Sequence, residues 1–145
     1  RTQVAASATQ LFGHRLGASQ VILSIDGAYI HIHDFPGAND VPLQGRGGGD
    51  ENSWGYRILG QMEYTSVFGG LNVLPRLLFT HDVQGYTPAP VSSFSEERKS
   101  FSVGLGFSYI NRWEADLSYT SFFDGEPGNQ LIDRDFVRLQ VRYGL

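Results

Sequence analysis

Residues 137–145 alternate strictly: Val137, Leu139, Val141, Tyr143 and Leu145 are apolar, and Arg138, Gln140, Arg142 and Gly144 fall between them. A period of two belongs to an extended strand with one apolar face and one wet face. The same period returns along most of the chain. It leaves little room for helices, whose apolar residues recur every three to four positions.

Seven strands follow from this pattern. The first spans about Thr2 to Phe12, with Val4, Ala6, Ala8 and Phe12 on one side. The second runs from Gln20 to His33 and alternates Val21, Leu23, Ile25, Gly27 and Tyr29 with Ser24, Asp26 and Ala28. The third, Trp54 to Ser66, sets Trp54, Tyr56, Ile58, Gly60, Met62 and Tyr64 against Arg57, Gln61, Glu63 and Thr65. The fourth, Leu71 to Val83, sets Leu71, Val73, Leu77 and Phe79 against Asn72, Arg76, Thr80 and Asp82. Pro75 lacks an N–H and predicts a bulge or a weak stretch of ladder there. The fifth is the cleanest, with Phe101, Val103, Leu105, Phe107 and Tyr109 facing away from Ser100, Ser102, Gly104, Gly106 and Ser108. The sixth sets Trp113, Ala115, Leu117 and Tyr119 against Glu114, Asp116, Ser118 and Thr120, and the seventh begins near Arg134.

The connections alternate in length. Gly13 to Ala18, Phe68-Gly69-Gly70 and Asn111-Arg112 are short; Asp34 to Ser53, Gln84 to Arg98 and Asp124 to Asp133 are long and rich in Gly, Pro, Asp and Asn. Short turns on one side and long loops on the other fit an outer-membrane barrel. The charged strand residues Arg57, Glu63, Arg76, Asp82, Glu114, Asp116, Arg138 and Arg142 all fall opposite the apolar set. An Arg on a lipid-facing position near mid-bilayer costs about 2–4 kcal/mol, and none of the clear strands places one there. These eight are the candidate lumen-lining residues. Tyr29, Trp54 and Tyr56 gather toward the long-loop side, and Tyr64, Tyr109, Trp113 and Tyr143 toward the short-turn side, as amphipathic rings do at bilayer interfaces. The expected fold is all-β, an antiparallel transmembrane β-barrel of outer-membrane type; the alternative is a soluble β-sandwich with one wet face per sheet.

Composition agrees with this reading. The apolar fraction is 41% across 145 residues, without a run long enough for a transmembrane helix. Barrel strands dilute their apolar signal at alternate positions, so weak hydropathy does not exclude them. The chain has no Cys, which excludes disulfides and thiolate metal sites. A net charge of −4 argues against a nucleic-acid partner.

A chain that stops on an apolar residue, with an aromatic two places earlier, resembles the terminal strand of bacterial outer-membrane β-barrels. That resemblance implies that Val137, Leu139, Val141, Tyr143 and Leu145 form the signal read by the barrel-assembly machinery, with Leu145 standing where Phe or Trp is usual. The stretch Asn129-Gln130-Leu131-Ile132-Asp133-Arg134-Asp135-Phe136-Val137, preceded by Ala115-Asp116-Leu117-Ser118-Tyr119-Thr120-Ser121-Phe122-Phe123, is similar to the close of the proteobacterial outer-membrane proteins grouped as domain of unknown function 1302. The specific match covers the C-terminal part of the chain. The resemblance implies longer chains and a part in export or uptake of hydrophobic compounds.

Bacterial single-chain barrels have even strand numbers. Seven strands therefore suggest a single barrel segment, residues 1–145, that is the C-terminal part of a larger barrel; a miscounted first strand is the alternative. With the C-terminus periplasmic, the long loops face the exterior.

Other motifs have milder explanations. His31-Ile32-His33-Asp34 offers metal-ligand types, or a band of polar rings where a strand leaves the membrane. Gly45-Arg46-Gly47-Gly48-Gly49-Asp50 lacks the Lys-Ser/Thr of a phosphate-binding loop, and Asp40, Asp50 and Glu51 lack calcium-loop spacing. Ser92, Ser93 and Ser95 with His81 and Asp82 lack a nucleophile elbow. Glu114 and Asp116 against Arg138 and Arg142 predict either a wall of ion pairs or part of a solute path. The expectation is a non-enzymatic channel or transporter for a small or hydrophobic solute, without cofactor or metal, integral to the outer membrane. Its partners would be outer-membrane lipid, lipopolysaccharide and other envelope proteins. The alternative is a scaffold barrel in an envelope complex.

Overall fold

The computed structural model of the protein describes residues 1–35, 49–87, 93–126 and 129–144. Seven strands form: β1 (Thr2–Phe12), β2 (Gln20–His31), β3 (Asn52–Phe68), β4 (Leu71–Gln84), β5 (Lys99–Tyr109), β6 (Trp113–Phe123) and β7 (Phe136–Tyr143). They make one antiparallel sheet in the order β1-β2-β3-β4-β5-β6-β7. Each strand packs only on its sequence neighbours, and β1 does not meet β7, so the sheet is open. The described residues contain no helix.

Register keeps the two faces separate across the whole sheet. On one face Gln10, Leu23, Gly60, Leu77, Val103, Tyr119 and Val137 form a continuous rung through all seven strands. Pro75, Leu105, Leu117 and Leu139 form the next rung over β4 to β7. On the other face Ser7, Asp26, Arg57, Thr80 and Ser100 lie side by side, as do Asn72, Ser108, Glu114 and Arg142. A slip of one residue would exchange the faces. Gln10, like Thr2 at the strand's start, is a polar residue on the mainly apolar face of β1.

Among the described residues no second layer covers the apolar face. Leu105 is 39% exposed, Leu117 43% and Leu139 68%. Among the described residues the only buried apolar side chains are Ala18 and Ile30. A two-sheet sandwich is therefore not formed: its core needs two apolar faces interdigitating about 10 Å apart.

The strand bounds depart from the sequence pattern mainly at the ends. β2 stops at His31, so His33 lies beyond it, and β3 gains Asn52–Ser53 and Val67–Phe68. β7 starts at Phe136, because Arg134 N–H donates to Leu131 O at 3.0 Å and Asp133 takes a positive φ of 60°, which holds that segment in a turn. Pro75 keeps full register with β5, and the β3–β4 ladder lapses between Gln61–Arg76 and Tyr64–Val73 without a shift. The actual shifts lie between Trp54 and Gly55 and between Tyr64 and Phe68. Pro75 thus weakens the ladder and does not bulge it.

Three tight reversals join β1–β2, β3–β4 and β5–β6. Gly69 and Gly70 have φ of 53° and 100°, the left-handed pair that matches strand twist in a two-residue hairpin. The β5–β6 turn puts Ile110 and Asn111 at φ of 50° and 54°. Asn tolerates that region, but a β-branched side chain does not, and Ile110 is exposed, with little burial to offset the strain. Ile110→Gly is expected to raise stability by about 1 kcal/mol, read as a higher urea midpoint for the folded protein; an unchanged or lower midpoint would show that the turn is not strained.

Candidate functional site

The eight predicted polar side chains stand on one face of the sheet, in two groups. Near the short-turn end the floor is β5, whose side chains on this face are Ser100, Ser102, Gly104, Gly106 and Ser108. This lane of small residues lets Arg76, on β4, cross β5 and pair with Asp116 on β6. The fit is close: a Cβ at Gly104 would lie 2.9 Å from Arg76 Nε. Glu114 accepts from Arg142 Nη1 at 3.3 Å, directly across β6–β7. Arg138 sits opposite Ser118 and donates to Gln140 at 2.9 Å. Of the expected acid–base set, then, Glu114–Arg142 forms; Asp116 takes Arg76 instead of Arg138, because its position opposite Gly106 puts it within reach of the crossing guanidinium. Glu63 lies opposite Gln20 on the same face.

Near the long-link end residues 93–98, which precede β5, lie against the polar face. Asp82 is buried; its Oδ2 accepts from Arg98 Nη2 at 2.6 Å, Arg98 Nε at 2.8 Å and Ser95 N–H at 3.1 Å. Arg98 Nη2 also donates to Ser93 O at 3.3 Å. Phe94 packs over Gly55, where an added Cβ would fall 2.9 Å from the Phe94 ring and 2.7 Å from His81 O. Ser53 and Thr87 share a buried hydroxyl contact of 2.9 Å. Arg57 Nε donates to Asp26 Oδ2 at 2.8 Å, one rung away. The opposed ion pair Asp26–Arg57 and the loop residues Phe94 and Arg98 carried no signal beyond alternation in the sequence; their meeting follows from register and from the fold-back of the loop.

A family described as "Protein of unknown function (DUF1302)" matches residues 1–145, the entire sequence. The chain belongs to the DUF1302 family. No curated protein and no solved structure matches it.

The DUF1302 chain places its aromatic candidates at the two ends of the apolar face. Tyr29 is opposite Trp54, with Tyr56 one rung in, at the long-link end. Tyr109, Trp113 and Tyr143 share one rung at the short-turn end, the last two with ring centroids 4.6 Å apart. Tyr64 is at that end too and donates to Leu16 O at 3.2 Å. Val137, Leu139, Val141 and Tyr143 line the apolar face of β7; Leu145 lies outside the described residues.

The milder motifs resolve as follows. The His31 and His33 rings meet edge to face at 4.7 Å, His31 Nδ1 lies 2.9 Å from Asn52 Oδ1, and His33 Nε2 lies 2.7 Å from Thr2 Oγ1. Among the described residues no three His, Cys, Asp or Glu side chains come together as a metal site. Asp50 Oδ2 accepts from Tyr86 N–H at 2.8 Å, and Glu51 is 3.7 Å from His31. Asp40, Gly45-Arg46-Gly47-Gly48 and Ser92 lie outside the described residues. His81 and Asp82 are on opposite faces, His81 beside Tyr56 and Asp82 against Arg98, so they do not make a catalytic pair.

Two outcomes test this geometry. Gly104→Val displaces Arg76 and is expected to cost about 1–3 kcal/mol, measured by urea unfolding, and the cost shrinks in an Arg76→Met background because the displaced partner is already absent. Separately, Asp135 precedes β7, and its carboxyl is held below the ordinary value chiefly because Tyr119 O–H donates to it; Phe122 N–H adds a bond of 3.2 Å. The stabilisation from a lowered carboxyl is complete above its unfolded value and is lost as pH falls through the folded one. The Phe122 amide shift should therefore titrate below the ordinary carboxylate range, and Asp135→Asn should abolish that titration.

Proposed function

We propose that this chain is an arc of an integral outer-membrane β-barrel that passes a small or hydrophobic solute along its polar face. The observation that carries the reading is the bare apolar face. In water a domain of this size stays folded by burying apolar side chains, yet only Ala18 and Ile30 are buried among the described residues. Hydrocarbon around the sheet removes that conflict. The same environment explains why Arg57, Arg76, Arg98, Arg138 and Arg142 keep off the apolar face, and why the aromatics collect at its two ends.

Both edges bear on how the barrel closes. β1 and β7 each have one strand neighbour and run in the same direction. Unpaired backbone groups in hydrocarbon cost several kcal/mol each, so a spanning sheet must close. Direct pairing of β1 with β7, or with the same edges of a second copy in the same orientation, would be parallel. An antiparallel seam needs an odd number of further strands between them, and the larger barrel supplies them. The long connections at residues 32–51, 85–98 and 124–135 then face the exterior, and the apolar row of β7 serves the assembly machinery.

A second reading has its own support. The Arg76–Asp116, Asp82–Arg98, Asp26–Arg57 and Glu114–Arg142 pairs and the inward Phe94 occupy much of the polar face, as they would in a closed scaffold barrel of an envelope complex.

Planar-bilayer recording of the full-length protein tests for an open pore: steady single-channel currents support the channel, and silence supports the scaffold or a gated transporter of hydrophobic solutes. Leu105→Arg tests the membrane reading itself. With Leu105 in hydrocarbon, the substitution costs about 2–4 kcal/mol and abolishes folding into lipid vesicles, followed by heat-modifiable gel mobility; unimpaired folding would refute the lipid-facing assignment.

A further inference from the structure

The polar face holds an open cavity of about 420 Å³ between β1, β2, β3, β4 and the folded-back loop. Two adjacent rungs build it. Ala5, Ala28 and Gly55 make one rung with almost no side chain, which leaves a recess; the buried Asp82 closes its end. Ser7, Asp26, Arg57 and Thr80 make the next rung, which is polar. Phe94 stands over Gly55 as an aromatic wall.

The charges of this cavity are not equivalent. Asp82 is buried and neutralised by Arg98. Within the Asp26–Arg57 pair, the Arg57 side chain is 62% exposed and the Asp26 side chain 29%, so the cation protrudes and the anion is set back. Arg57 spends only Nε on Asp26; among the described residues neither Nη nitrogen has a protein partner. A guanidinium fork with its terminal donors free is suited to bidentate capture of a carboxylate. Arg57 and Gly55 are two residues apart on the same face of β3, roughly 7 Å, so an anionic head on Arg57 leaves an apolar body against Phe94 and the small-residue floor.

We propose that this cavity binds a small amphipathic organic carboxylate, with the carboxylate on Arg57 and the apolar body on Phe94 over the Ala5–Ala28–Gly55 recess. The site deepens the reading of the polar face as a solute path and rests on it for access from the barrel interior. Asp26 acts as the competing internal anion: it holds Arg57 in place and weakens the ligand's grip.

The test is calorimetric titration of the full-length protein in amphipol with 4-phenylbutyrate and with its uncharged amide, 4-phenylbutanamide. The carboxylate is expected to bind at least tenfold more tightly than the amide. Arg57→Ala should raise the carboxylate Kd tenfold or more and leave the amide within twofold, and Phe94→Ala should weaken both. Asp26→Asn should tighten the carboxylate severalfold, because it frees Arg57 from its own counter-ion; a merely structural role for the pair predicts no gain. Equal affinity for the two probes, no binding of either, or Arg57→Ala without effect on the carboxylate overturns the proposal. Should Arg57→Ala not fold, unchanged or weakened carboxylate binding by Asp26→Asn overturns it. These readouts are independent of conductance and of Leu105→Arg, so failure of the site and failure of the membrane reading are separable.

Discussion

The inter-strand backbone ladder carries this fold, because side-chain burial cannot. Every strand is hydrogen-bonded only to its sequence neighbours, and Ala18 and Ile30 are the only buried apolar residues among those described. A ladder fixes register, and register decides which side chains share a face. A continuous row such as Gln10, Leu23, Gly60, Leu77, Val103, Tyr119 and Val137 exists because six strand pairings agree. The sheet tolerates its irregularities where they do not disturb this agreement. Pro75 removes ladder bonds toward β3 but leaves the count unchanged, and the true shifts fall near the ends of β3.

The two faces meet different physical demands. Among the described residues the apolar face has nothing to pack on, which is costly in water and favourable in hydrocarbon. The polar face must satisfy its own charges, and it does so by geometry as much as by sequence. Arg76 reaches Asp116 only because Gly104 and Gly106 lower the floor of β5 between them. Asp82 is buried because Phe94, Ser95 and Arg98, from the segment that precedes β5, lie over the polar face. The second device leaves Arg57 as the protruding cation of the cavity.

The chain belongs to the DUF1302 family, while the proposed outer-membrane location and solute passage rest on the uncovered apolar face. The carboxylate site extends that proposal to particular side chains: a fork held at one nitrogen, a recess made by missing side chains, and one aromatic ring to close it.

Alternation, with the turn residues Phe68-Gly69-Gly70 and Asn111-Arg112 between runs, was enough to establish seven strands and the common face of Arg57, Glu63, Arg76, Asp82, Glu114, Asp116, Arg138 and Arg142. This is so because a strand has a two-residue period and the information is local. Strand ends were less legible: β7 begins at Phe136 because a turn at Leu131–Arg134 intervenes, and local pattern does not report that bond. Partner choice was legible only within the acid–base set of β6 and β7, where Glu114 pairs with Arg142. Asp116 with Arg76, Asp82 with Arg98 and Asp26 with Arg57 depend on register, on the absence of a Cβ at Gly104 and on the path of a loop. Those are relations between segments distant in the chain, and only the tertiary structure brings the segments together.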